Sequence, residues 1–244
     1  MKLCLLGIFA AAAVLAQPRT PVVVELFTSE GCSSCPPADQ LLARLEKDQP
    51  FAGIQVIVLG EHVDYWNELG WPDRFASHLY TERQQVYGRR LAIDAVYTPQ
   101  MVVNGQAEFS GGDGSRAARE IRKAAESPRA KVDLQLLPGD TLKLNVEALP
   151  QGTRDAEVLL AVTETNLETN VARGENHGRT LRHTGVVRSL TSLARIDTRK
   201  AGAYSAEARV GIAPEWKREN LTVVVLVQDR SNGKIVGAAS AHTL

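Results

Sequence analysis

The chain has 244 residues, of which 44% are hydrophobic, an ordinary share that excludes a wholly disordered protein. Lysine and arginine together number 28, as do aspartate and glutamate, so the formal net charge is zero. Nucleic-acid-binding proteins carry a basic excess, so this balance argues against nucleic acid as a partner.

The N-terminus has the pattern of a secretory signal peptide over residues 1–16. A basic start at Lys2, an apolar run over residues 3–15 and a small residue, Ala16, at the cleavage position make this pattern. The run is shorter than the roughly 20 residues that span a bilayer, and no later segment is apolar enough to do so. We therefore expect a periplasmic or secreted protein without a membrane span once the signal is removed.

Strand and helix signals alternate over residues 18–127, which predicts an α/β domain. The helices follow from apolar residues spaced i, i+3, i+4 and i+7, and the first two strands from almost wholly apolar runs. Asn104-Gly105 is a strong hairpin signal between the last two strands. The predicted elements are strand 21–27, helix 37–47, strand 54–60, helix 74–91, strand 100–104, strand 108–110 and helix 115–126.

The pattern changes after Pro128, which ends the last helix and marks a predicted domain boundary. Short segments with strand patterns, separated by turn residues and with little helix, predict an all-β antiparallel sandwich-like domain over residues 130–244. Residues 231–234 predict the hairpin turn between the last two strands. The predicted strands are 132–136, 142–148, 157–163, 181–190, 203–210, 221–229 and 235–241.

The main functional signal is a pair of cysteines. Cys4 would be lost with the signal peptide, so the mature chain keeps Cys32 and Cys35, three positions apart between a predicted strand and a predicted helix. Such a pair is a redox-active dithiol or half of a metal site. A helix N-terminus stabilises a thiolate, so Cys32 is predicted to be the exposed nucleophile and Cys35 to resolve the mixed disulfide.

Other functions of the same cysteines stay open. Soft thiolates select copper(I), so Cys32, Cys35 and His62 could form a copper(I) or metallochaperone-like site. Zinc is disfavoured because a structural zinc site needs four ligands. A structural disulfide in a non-catalytic binding module is a further possibility. The redox pair itself needs no dissociable cofactor, and its partners would be protein thiols or disulfides, small thiols or a redox partner.

Two segments resemble the halves of a thioredoxin-like active site. They are residues 25–35, with the helix that follows, and residues 97–105, which contain Thr98-Pro99. The resemblance implies that Pro99 adopts the cis form, faces the cysteine pair and, with Thr98, shapes the site for a bound peptide. It also implies that Glu25 helps to take the proton from the resolving thiol.

A closer resemblance covers nearly the whole mature chain. It is to a bacterial secreted family that is catalogued as a domain of unknown function with a thioredoxin-like fold. The resemblance is carried by the CSSC motif at 32–35, the TP segment at 98–99, HVDYW at 62–66 and GENHGR at 174–179. It implies a thioredoxin-like fold for residues 18–127, and with the cysteine pair it predicts an exported thiol–disulfide oxidoreductase.

Two further groups of residues each allow two interpretations. Tyr65, Trp66 and Trp71 could wall a peptide groove beside Cys32 or pack as a small core over the sheet edge. The polar residues 175–179 and His183 could bind a partner or seat the second half of the chain against the first. We favour the interface between the two halves for this second group.

Overall fold

The computed structural model of the chain describes residues 19–198 and 203–243. The predicted signal peptide at residues 1–16, with Cys4, lies outside the described residues. Three α-helices accompany thirteen β-strands in this part of the chain. The elements of the first half are β1 (Thr20–Thr28), α1 (Pro36–Asp48), β2 (Ile54–His62), α2 (His78–Arg90), β3 (Gln100–Val103), β4 (Ala107–Ser110) and α3 (Gly114–Ala125).

The second half is built of strands. They are β5 (Val132–Leu137), β6 (Thr141–Val146), β7 (Asp155–Glu164), β8 (Leu167–Asn170), β9 (Thr180–His183), β10 (Val186–Asp197), β11 (Tyr204–Arg209), β12 (Leu221–Asp229) and β13 (Ile235–His242). The predicted boundary at residues 127–130 lies between the end of α3 and the start of β5. Whether each half is a domain that folds by itself stays a prediction.

The predicted fold class, an α/β thioredoxin-like domain followed by an all-β antiparallel sandwich-like domain, is wrong. Strands from both halves form one eight-stranded mixed sheet in the order β13-β12-β7-β10-β2-β1-β3-β4. A three-stranded sheet, β11-β6-β5, and the separate hairpin β8-β9 complete the architecture. The protein is therefore mostly β-sheet, and its two halves share the largest sheet.

The two halves join where β2 meets β10. These strands run parallel and pair at Val186 and Gly60. A side chain at Gly60 would meet the backbone oxygen of Thr184 at 3.2 Å, so glycine permits the close approach of the two backbones. The sequence shows β2 as a buried strand, but it does not show which later strand covers its edge.

The large sheet separates two hydrophobic layers. On one face, alternate residues of β1 and β2 pack against α1 and α3, and alternate residues of β7 and β12 pack against the three-stranded sheet. The intervening residues face the other side, where Tyr80 of α2 contributes to the core. Because both faces of these strands are buried, successive residues are apolar throughout.

Most individual elements match their predictions, with differences at the ends. The two predicted hairpins form, and Asn104 and Gly105 both have positive φ, as the turn requires. The helix predicted over 74–91 begins only at His78, because Ser77 caps it through the Leu79 N–H. The strand predicted over 181–190 is split into β9 and β10 at Gly185, whose φ is +57°. The short polar strand β8 was not predicted.

Candidate functional site

Cys32 and Cys35 form a disulfide in the loop between β1 and α1. This cysteine loop, residues 29–35, is folded by two turns, in which the Cys32 N–H donates to Ser29 O and the Cys35 N–H to Cys32 O. Cys35 is the N-cap residue of α1. Both cysteines have zero relative exposure, whereas Ser33 and Ser34 between them are exposed. Cys32 is thus buried in the structure, whereas the sequence predicts an exposed Cys32.

Thr98 and Pro99 lie at the same end of the molecule as the cysteine loop. The Thr98–Pro99 bond is cis, as the resemblance implied. Trp66 donates its indole N–H to Thr98 Oγ1 at 2.7 Å and also packs against Gly31. A side chain at Gly111 would meet both Ala38, in the first turn of α1, at 3.0 Å and Pro99 at 3.1 Å, so only glycine fits between them. Trp66 and Gly111 thus connect this segment to the loop and helix that hold the disulfide.

Glu25 lies in a different environment from the one that the resemblance implied. Its neighbours Val24 and Leu26 face α1 and α3, so the alternation of β1 turns Glu25 towards α2. One carboxylate oxygen accepts from Arg83 Nε at 2.6 Å and the other from the Tyr87 hydroxyl at 2.7 Å. Glu25 is thus part of an ion-pair cluster on the face of the sheet opposite α1.

A loop from the second half covers the cysteine loop. Residues 171–179, here named the lid loop, connect β8 to β9. The buried amide of Asn176 donates to Glu30 O at 2.9 Å and to Cys32 O at 3.0 Å. Glu175, which is exposed, accepts from the Ser33 N–H at 3.0 Å. These contacts agree with the interpretation that residues 175–179 seat one half of the chain on the other.

Two histidine–carboxylate pairs are buried behind the cysteine loop. His62 Nδ1 lies 2.6 Å from Asp73 Oδ2, which also accepts from the Glu30 N–H at 2.8 Å. The Glu30 carboxylate is 3.1 Å from His183 Nε2 and accepts from the Trp71 indole N–H at 2.8 Å. The two histidine rings meet edge to face with centroids 4.9 Å apart. Trp71 and His183 therefore hold the cysteine loop in place through the Glu30 carboxylate. Trp71 is thus part of this buried cluster.

The charges in this cluster shift each other's titration. Burial favours the uncharged form of Asp73, but the neighbouring His62 and the N–H groups of Glu30 and Phe75 lower the pKa of Asp73 to about 2. Burial also favours a neutral His62 ring, but Asp73 outweighs it and raises the pKa of His62. Burial opposes ionisation of Glu30 too, yet hydrogen bonds, chiefly from His183, hold its pKa below the usual value.

These shifts predict a window of pH in which the His62–Asp73 pair stabilises the fold. A lowered pKa at Asp73 gives stability that is present above the unfolded value near pH 4 and is lost as the pH falls towards 2. A raised pKa at His62 gives stability that is present below about pH 6.5 and is lost as the pH rises through the folded value. Asp73→Asn should thus lower the free energy of unfolding by about 2 kcal/mol near pH 5 and by less near pH 9.

Urea unfolding at the two pH values measures this difference. Asp133→Asn is the matched control, because Asp133 forms an exposed ion pair with Lys131. Its loss should stay within about 0.5 kcal/mol at either pH. An Asp73→Asn loss that does not change between the two pH values would contradict the assignment.

The copper(I) ligand set is not assembled in this state. The sulfurs of Cys32 and Cys35 are bonded to each other, and His62 Nδ1 is paired with Asp73. Within residues 19–198 and 203–243, no group of three or more histidine, cysteine, aspartate or glutamate side chains is placed to hold a metal ion. The same part of the chain contains no helix long and apolar enough to cross a membrane.

Several residues of the site were not singled out from the sequence. Asp73 follows Pro72 in a loop, and nothing in its local pattern indicates a partner in β2. Asp39, in the first turn of α1, accepts from the Thr28 hydroxyl at 2.9 Å, and burial raises its pKa. Glu30 lies two positions before Cys32, but its position in the chain gives no sign of its partners Trp71 and His183. Each contact depends on tertiary structure, so spacing along the chain gives no signal for it.

The site is thus a covered CXXC disulfide at the start of a helix, on a protein built around a mixed β-sheet. The family model described as a protein of unknown function (DUF1223) matches residues 23–228. The chain therefore belongs to this family of proteins of unknown function.

Two solved structures are similar to the chain. An X-ray crystal structure of a protein from Agrobacterium tumefaciens is 29% identical, with a TM-score of 0.74, and the match covers 92% of this chain and 95% of that one. HBP35 of Porphyromonas gingivalis is 14% identical, with a TM-score of 0.63, over 94% of this chain and 77% of that one, and shows likeness of fold alone. No curated protein matches the chain.

Proposed function

We propose that this protein is a thiol–disulfide oxidoreductase that acts through the Cys32–Cys35 pair. The observation that carries the proposal is the disulfide within a CXXC motif whose second cysteine is the N-cap residue of α1. The partial positive charge at a helix N-terminus favours the thiolate form of a cysteine over the thiol. Cys35 is therefore a good leaving group when the disulfide is attacked at Cys32.

Oxidation of a dithiol substrate takes two exchange steps. A substrate thiolate attacks Cys32 Sγ, the Cys32–Cys35 bond breaks, and Cys35 leaves as a thiolate that takes up a proton. A second substrate thiolate then displaces Cys32 from the mixed disulfide. Two electrons and two protons pass from a dithiol substrate to the protein, which ends with two thiols while the substrate gains a disulfide. The reverse sequence reduces a substrate disulfide, and no dissociable cofactor takes part.

We place this chemistry in the periplasm or outside the cell. The predicted signal peptide over residues 1–16 supports export, and disulfides persist in such compartments. The partners on this proposal are protein or small-molecule thiols and disulfides. A second protein that carries a disulfide or a dithiol would return the pair to its starting state.

A second candidate function has an observation of its own. Both cysteines are fully buried, which is the environment of an inert structural cross-link in a non-catalytic binding module. That candidate predicts that the disulfide is reduced only when the protein unfolds.

A redox titration of the mature wild-type protein separates the two candidates. The folded protein is equilibrated with dithiothreitol buffers of stepwise ratio, its free thiols are alkylated, and the products are counted by mass. We expect Cys32 and Cys35 to be reduced together without loss of the fold. In a separate assay, in which oxidised glutathione re-oxidises the pair, we expect the protein to re-form disulfides in reduced, denatured ribonuclease over many turnovers. Reduction that requires denaturant, or an absence of turnover, would overturn the proposal.

A further inference from the structure

The contacts of the lid loop explain how a buried disulfide could still exchange. The lid loop touches the cysteine loop through backbone groups: Glu30 O and Cys32 O accept from Asn176, and the Ser33 N–H donates to Glu175. A polypeptide in an extended conformation offers the same N–H donors and C=O acceptors along its backbone. The lid loop therefore occupies groups that a polypeptide substrate could bind.

The lid loop has hydrogen bonds of its own and further contacts to the first half of the chain. Within it, the Gly178 N–H donates to Val171 O, and Arg179 donates to the Asn176 side-chain oxygen, so it keeps its shape without the cysteine loop. Gly174 packs against Gly70 and Trp71. At its base, His183 of β9 contacts Glu30. Release of the cysteine loop requires the β8-β9 hairpin to move away from Glu30 and from Arg74, which donates to Glu168 O at 2.9 Å.

We propose that the lid loop closes the disulfide by taking the place of an extended polypeptide substrate, which binds the backbone of residues 30–33 when the hairpin swings away. This rests on the proposed function. The substrate N–H groups would replace the Asn176 amide, and a substrate carbonyl or acidic side chain would replace the Glu175 carboxylate. A substrate cysteine held there lies beside Cys32, so its thiolate can attack the Cys32–Cys35 bond in the step described above.

The test compares how fast the oxidised disulfide reacts in lid variants. Wild-type protein, Glu175→Ala and Asn176→Ala are mixed with dithiothreitol, and loss of the disulfide is followed by alkylation and mass. If the lid loop must open before the thiolate attacks, the rate of disulfide reduction is proportional to the fraction of molecules with an open lid loop. Each substitution removes hydrogen bonds that hold the lid loop closed, so each variant should be reduced about tenfold faster. Glu175 is exposed, so its variant should fold even if Asn176→Ala does not. Glu168→Ala is the matched control, because Glu168 lies on β8 and pairs with Arg182 rather than with the cysteine loop.

A second arm identifies the occupant. Reduced, denatured ribonuclease, which is a polypeptide with free thiols, replaces dithiothreitol at equal thiolate concentration. We expect the polypeptide to react faster than dithiothreitol with wild-type protein, because it compensates for the contacts of the lid loop. If both lid variants react at the wild-type rate, the lid loop does not control access to the disulfide. If the polypeptide reacts no faster than dithiothreitol, the substrate is not an extended polypeptide. Faster reduction in both variants, together with no catalytic turnover, would support shielding by the lid loop but refute the proposed oxidoreductase function.

Discussion

Replacing Cys32 by serine should abolish thiol–disulfide exchange, with turnover falling by more than about a thousandfold. The reason is chemical, since a serine hydroxyl neither forms a disulfide nor ionises near neutral pH. Cys35→Ser should behave differently. Its Cys32 thiolate can still attack a substrate disulfide, such as one in partly oxidised ribonuclease, and expel one substrate thiolate. No second sulfur then remains to release the substrate, so the mixed disulfide should accumulate. Oxidative refolding of reduced ribonuclease measures turnover, and mass analysis after acid quenching counts the trapped species.

The two serine variants control for each other. Each loses the same cross-link over four residues, which costs about 2 kcal/mol of stability in the chain-entropy model. A general loss of stability would therefore affect both equally. Turnover by Cys32→Ser, or trapping by Cys32→Ser but not by Cys35→Ser, would reverse or refute the assignment of nucleophile and resolving cysteine.

Arg83→Met should destabilise the protein by about 3–5 kcal/mol, because it leaves buried carboxylates without their cation. Arg83 lies 2.6 Å from Glu25 and 3.4 Å from Glu61, and both glutamates have zero exposure. Burial raises the pKa of Glu61, which means that the site disfavours the charged form of this carboxyl group even with Arg83 present. Without Arg83, two buried carboxylates would lie close together with no cation beside them. Arg83 also donates to Gln228 of β12 at 3.1 Å and so joins α2 to both halves of the chain.

Urea unfolding of three variants tests this account. Arg90→Met is the matched control in the same helix, since Arg90 is exposed and donates to the backbone oxygen of Arg230. It should cost less than about 1 kcal/mol. The double variant Glu25→Gln, Arg83→Met removes one buried charge with the cation and should recover part of the loss. A loss for Arg83→Met no larger than that for Arg90→Met would show that the cluster does not contribute as described.

The local part of the fold could be predicted from sequence, and the long-range part could not. Apolar runs and turn residues indicated β1, β2 and the hairpins at Asn104-Gly105 and residues 231–234, because those signals act between neighbours in the chain. The pairing of β2 with β10 has no such signal. Gly60 is a local sign of this pairing, but an ambiguous one, because a glycine within a strand indicates a bulge as well as a close approach of two backbones. The fold class was consequently wrong although most of its elements were right.

The candidate site divides in the same way. The CXXC spacing indicated Cys32 and Cys35, and the resemblance indicated the cis bond before Pro99. The role that the resemblance implied for Glu25 stays a prediction. The resemblance gave no sign of its contacts with Arg83 and Tyr87, to which the alternation of β1 directs the carboxylate. The cover over the disulfide could not be found from spacing, since Asn176 lies 144 positions from Cys32.

That separation sets an order of events during synthesis. A chain is made from its N-terminus, and its earlier segments begin to fold first. The two thiols are consequently synthesised well before Asn176, at a stage when the lid loop cannot yet cover them. On the proposed function, a pair that is oxidised before the lid loop folds over it needs no opening step, whereas every later exchange in the folded molecule does.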